Sequence, residues 1–134
     1  YEHQETIHLK KEFQNYLDII KNEKPKDGIN KITSYAEVLD EKDISSQEIL
    51  DALSSFHIWS EDYVKSRKNW MPEKPLKAVF LRIFKLPEFE IPIKSEYQGC
   101  KSWIDINAQI QSGEAVLNDA EVQSRLEKFK EIVN

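Results

Sequence analysis

"LKAVFLRIFKL", residues 76–86, is the stretch whose reading decides the fold. Leu76, Ala78, Phe80 and Phe84 alternate with Val79, Leu81 and Ile83, so its middle is apolar on both faces. A strand of that kind is expected deep in a sheet, with neighbours on each side. Arg82 interrupts the apolar run. A guanidinium there must find a carboxylate, carbonyls or a ligand anion, because unpaired burial is costly. Pairing with Glu37 of an earlier strand is the structural account, and an anion site is the functional one.

Before this strand, "MPEKP" (71–75) cannot continue a helix, because Pro72 and Pro75 lack donors and restrict their predecessors. In "FHIWSEDYVKSRKNW" (56–70), Ser60 is placed to cap a short helix through Arg67, with Asp62 near its positive end. "SSQE" (45–48) has the capping-box pattern, in which the Ser45 hydroxyl accepts a helix-start N–H and Glu48 reaches back. Ile49, Leu50 and Leu53 are that helix's apolar face. "INKITSYAEVLD" (29–40) is β-prone around Tyr35 and Ala36, with imperfect alternation. "NEKPKDG" (22–28) is a polar turn in which Gly28 is free to take positive φ. Leu9, Phe13, Tyr16, Leu17 and Ile20 mark an amphipathic helix that ends before Pro25.

Beyond the decisive strand, "PEFEIPI" (87–93) is extended, and Pro92 places it at an edge or in a loop. "SWIDI" (102–106) has the alternation of a short strand. Asn118 and Glu121 form a capping-box start for a helix presenting Val122, Leu126, Phe129 and Val133. The order predicts an α+β fold with a mostly antiparallel sheet and flanking helices, in a single domain over residues 1–134.

Composition narrows the function classes. Hydrophobic residues at 40% and charged residues at 32% suit a globular domain. A net charge of −5 argues against a general basic coat for nucleic acid, while leaving room for a local basic groove. The longest apolar runs, such as Ala78–Leu81, fall far short of the roughly 20 residues of a membrane span. A single cysteine makes no internal disulfide, and no leader opens the chain, so a cytoplasmic location is the expectation. The chain begins at Tyr1 rather than methionine, and a segment upstream is expected.

Two clusters carry candidate chemistry. "YQGCKSWIDI" (97–106) holds Cys100 after Gly99 and beside Lys101, whose charge favours a thiolate. His57 is its candidate base. The structural alternative is a small buried residue at a strand start. The second cluster is aromatic and cationic: Trp59, Tyr63, Trp70 and Trp103 with His57, Arg67 and Arg82. Such a set can stack a planar base and bond its edge, or the tryptophans can simply fill a core. His3 and His8, five residues apart, turn away from each other on a helix, and no C-x-x-C or H-E-x-x-H spacing occurs. No metal or cofactor is expected. The scattered glycines form no phosphate cradle and no G-x-S-x-G elbow appears, which argues against ATPase, dinucleotide-enzyme and serine-hydrolase readings.

"YEHQ", "ITSYAEV", "LSSFHIWSEDYVKSRKNWMPEKPL", "LRIFKL" and "YQGCKSWIDI" together resemble the bacterial DUF1802 family, a domain of unknown function. The resemblance runs in order along most of the chain. It implies that His57, Trp59, Tyr63, Arg67, Trp70, Arg82, Cys100 and Trp103 belong to the family pattern. It also implies a strand-rich segment in front of "YEHQ", with an R-K-G-G-like turn, that is not in this sequence. More loosely, the "YAEV" and "LRIFKL" strands are similar to small barrels of the PUA and ASCH type, which bind RNA or modified bases. The leading expectation is a non-catalytic module that binds a nucleotide, an unpaired or modified base, or single-stranded nucleic acid. The alternatives are an enzyme using Cys100 and His57, and an accessory domain that meets a protein partner.

Overall fold

The computed structural model describes residues 5–23, 27–97 and 103–134. Its frame is a long antiparallel ribbon of β1 (Ile29–Ile44) and β2 (Leu76–Pro92), paired from Ile29 opposite Pro92 to Ile44 opposite Leu76. The 16 residues of β1 extend roughly 50 Å at about 3.3 Å each. The turn before β1 has Gly28 at φ 78°, and the Gly28 carbonyl accepts from the Ile93 N–H at 2.9 Å, closing the far end.

Two register shifts, at Ile32/Ser34 and Val38/Asp40, explain the imperfect alternation of β1. The first lets Pro87, which has no N–H to donate, sit between the Lys85 and Phe89 pairs without breaking the strand. "PEFEIPI" is therefore the continuation of β2 up to Pro92 rather than a separate piece.

Residues directly opposite each other share a face of the ribbon. On one face Ile44, Leu76, Ala78 and Phe80 meet α2 (Gln47–Ala52), the 3₁₀ turn Leu53–Phe56 and α4 (Asp119–Val133). The core is Ile44, Leu50, Leu53, Phe129 and Val133. The Phe129 ring lies 6.1 Å from that of Phe56 and 5.5 Å from that of Phe80. Farther along this face Tyr35 stacks on Phe84 at 4.7 Å.

On the other face Val38 opposes Leu81 and Ala36 opposes Ile83, and Leu81 remains 46% exposed. The expectation that β2 is buried on both faces is thus corrected. β1 flanks β2 along its length, β3 (Glu114–Ala115) pairs with it only at Phe84 and Lys85, and α2 and α4 pack on one side. Strand order β1-β2-β3 leaves the sheet open, and no barrel closes among the described residues.

Three local expectations shift. Ser46, not Ser45, caps α2, its hydroxyl accepting from the Ile49 N–H at 3.4 Å; β1 runs on to the buried Ile44, which leaves Ser45 as a link. α3 (Glu61–Trp70) continues past Arg67 to Trp70. Within "SWIDI", residues 103–106 form no strand. The edge of β2 is taken instead by Glu114–Ala115, which comes close because Gly113 precedes it: a Cβ there would stand 2.5 Å from the Lys85 carbonyl oxygen. α4 has the Asn118–Glu121 capping box the sequence predicts, at 2.9 and 3.0 Å. No helix among the described residues is long and apolar enough to cross a membrane.

Candidate binding groove

The segment between α2 and α3 is anchored by the start of the chain. Leu9 and Trp59 form an antiparallel bridge, in which the Lys10 N–H donates to the Ile58 carbonyl at 2.9 Å and the Ser60 N–H to the His8 carbonyl at 2.8 Å. The Lys10 ammonium donates to the carbonyls of His57, at 2.9 Å, and Ser54. The Ser60 hydroxyl accepts from the Tyr63 N–H at 3.3 Å, capping α3, and donates to the Ile7 carbonyl at 3.0 Å. One serine thus starts the helix and ties it to the preceding chain.

These bonds hold an aromatic group in place. The Tyr63 ring lies 5.0 Å from that of Trp59 and 4.7 Å from that of His8. His8 and Lys10 were not legible as members, because both contacts bridge about 50 residues of chain and leave no local pattern.

His57 is half-buried, and its Nδ1 accepts from the Trp59 backbone N–H at 3.2 Å. Nδ1 must be unprotonated to accept, which places the proton of the neutral ring on Nε2. Burial, and then the nearby Lys10 ammonium, push the pKa of His57 below its ordinary value. His57 is therefore suited to donate one hydrogen bond from Nε2 as a neutral group.

A groove of about 910 Å³ runs along β2 between this segment and α4. His57, Trp59, Arg82 and Arg125 line it together with apolar side chains such as Phe80 and Val122. Trp59 also walls a second, almost wholly apolar groove of about 480 Å³, against Leu9, Phe13 and Leu17. Helix α1 (Lys11–Asn22) carries that second wall.

Arg82 does not pair with Glu37, although the register sets them directly opposite. Its guanidinium lies 5.2 Å from the centre of the Phe84 ring and ion-pairs with Asp119, the first residue of α4. Glu37 shares that face of the ribbon and stays exposed, while the start of α4 brings the Asp119 carboxylate onto the guanidinium.

The remaining predicted residues lie apart from the groove wall. Tyr63 backs Trp59 rather than lining the groove. Arg67 is exposed in the last turn of α3, Trp70 is 74% exposed at its end, and Trp103 is 92% exposed. Cys100 and His3 lie outside the described residues. Among the described residues, no three His, Cys, Asp or Glu side chains are grouped to hold a metal ion.

A family model matches residues 1–128 of the chain. No curated protein and no solved structure matches it.

Proposed function

The chain belongs to the family described as Domain of unknown function (DUF1802), a description that assigns no reaction, and we propose that it is a non-catalytic binding module for a nucleotide or an unpaired base. The observation that carries this reading is the convergence of His57, Trp59 and Arg82 on one largely apolar groove of about 910 Å³. Ligand pockets are commonly about 300–1,000 Å³, with apolar walls and a few polar groups that fix orientation.

In this reading the base lies on the indole of Trp59, which Tyr63 supports from its own side. Neutral His57 donates its Nε2 proton to the base edge, and Arg82 and Arg125 meet the phosphate. Stacking on an aromatic side chain is worth about 1–3 kcal/mol per base, and the arginine contacts add salt dependence. The net charge of −5 confines the interaction to the groove, so long duplexes bind poorly.

The test is a titration with nucleosides, nucleoside monophosphates and short single-stranded oligonucleotides, read by tryptophan fluorescence and calorimetry. Binding is expected to weaken with salt, and Trp59→Ala to lower affinity by about tenfold, equivalent to about 1.4 kcal/mol. Absence of binding across the panel at low salt refutes the reading.

A second reading, an accessory domain docking on a protein, draws on the outer face of the ribbon. There Val38, Leu81 and Ile83 are exposed side by side. Contiguous apolar surface of this kind commonly marks an interaction site.

A further inference from the structure

In the groove proposed to take a nucleotide, the lining residue Arg82 is already engaged by an anion, the Asp119 carboxylate. Arg82 and Asp119 are an unequal pair: the arginine side chain is 25% exposed and the aspartate 89%. Asp119 engages Nη2 of Arg82, while Nε of Arg82 is buried with no hydrogen-bond partner. Nε and Nη2 form one edge of the planar guanidinium, the edge that carboxylates and phosphates grip with two parallel hydrogen bonds. Asp119 therefore fills half of a two-donor seat. The rest of Arg82 is held in place, flanked by the Phe84 ring and the strand that carries it.

A buried N–H left without an acceptor is costly. An anion that satisfies both donors has an advantage over a solvent-exposed carboxylate that satisfies one. We propose that Asp119 is a placeholder in the phosphate seat of this groove: a bound nucleotide puts its phosphate on the Nε–Nη2 edge of Arg82, and Asp119 swings out to solvent. The proposal rests on the nucleotide-binding reading and adds to it a residue that sets affinity by competition. An exposed ion pair leaves its seat open part of the time, so removing the competitor raises apparent affinity by about two- to sixfold.

The experiment is a calorimetric titration of the chain and of Asp119→Asn with adenosine and with adenosine monophosphate, at low salt. Asp119→Asn is expected to bind the monophosphate about two- to sixfold more tightly, with adenosine affinity unchanged. In the unsubstituted chain, the Arg82 Nε–H resonance is expected to move downfield with the monophosphate and stay put with adenosine. That measurement decides the matter if the variant does not fold. Equal or weaker monophosphate binding by a folded Asp119→Asn, or an unmoved Arg82 signal, overturns the placeholder role while leaving nucleotide binding in place. If neither ligand binds either chain, both the placeholder and the binding reading fall.

Discussion

Truncating Phe129 to alanine tests which face of the ribbon carries the core. Phe129 is 3% exposed, and its ring joins α4 to Phe56 of the 3₁₀ turn and to Phe80 of β2. Phe129→Ala removes the transfer energy of the ring and leaves a void bounded by three elements, which costs about 3–5 kcal/mol. Against a total stability of about 5–15 kcal/mol, that is a large share. With a urea dependence of about 1–3 kcal/mol per molar, the unfolding midpoint should fall by about 2 M. The control is Leu81→Ala, one residue along β2 from Phe80 and on the opposite face. Leu81 is 46% exposed, so its truncation should cost about 1 kcal/mol or less. Urea unfolding followed by circular dichroism measures both. Equal losses of stability in the two variants would refute this assignment, because the outer face would then be covered in solution as thoroughly as the inner one.

His57 has a pKa below its ordinary value, so the unfolded chain binds more protons than the folded one between the two values. Its contribution is complete above the unfolded pKa of about 6.5 and is lost as pH falls toward the folded pKa. Melting temperatures from about pH 8 to about pH 5 should therefore fall less steeply in His57→Gln than in the parent, and parallel profiles would refute this. Gly113→Ala should cost about 1–3 kcal/mol, since the new Cβ meets the Lys85 carbonyl oxygen at 2.5 Å and the Tyr35 ring at 3.0 Å; an unchanged melting temperature would mean that β3 does not approach β2 as described. Ser60→Ala removes both the α3 cap and the bond to the Ile7 carbonyl, for about 0.5–2 kcal/mol. Faster amide exchange at Tyr63 is the expected readout, and unchanged protection there would argue against the cap.

The sequence by itself determined the elements whose signals are local. The Asn118–Glu121 box, the Ser60 cap and the positive φ of Gly28 each depend on groups within a few residues, so their chemistry is visible in the string. The antiparallel ribbon was legible for the same reason, because β-branched and aromatic runs declare extended backbone. His57, Trp59 and Tyr63 also came as a set, since a seven-residue stretch and one helix cap place them.

Only the tertiary structure decided which face of β2 is buried, because both are apolar and periodicity cannot choose between them. It also decided the partner of Arg82. Pairing by register favours Glu37, which shares a face with Arg82, but α4 packs over that same face and brings Asp119 onto the guanidinium. Likewise His8 and Lys10 join the groove's supporting bonds only because the start of the chain folds against residues 54–63. Contacts between residues far apart in sequence arise from packing rather than from any local preference, which is why Arg67, Trp70 and Trp103 matched the pattern of a site yet stand outside the groove.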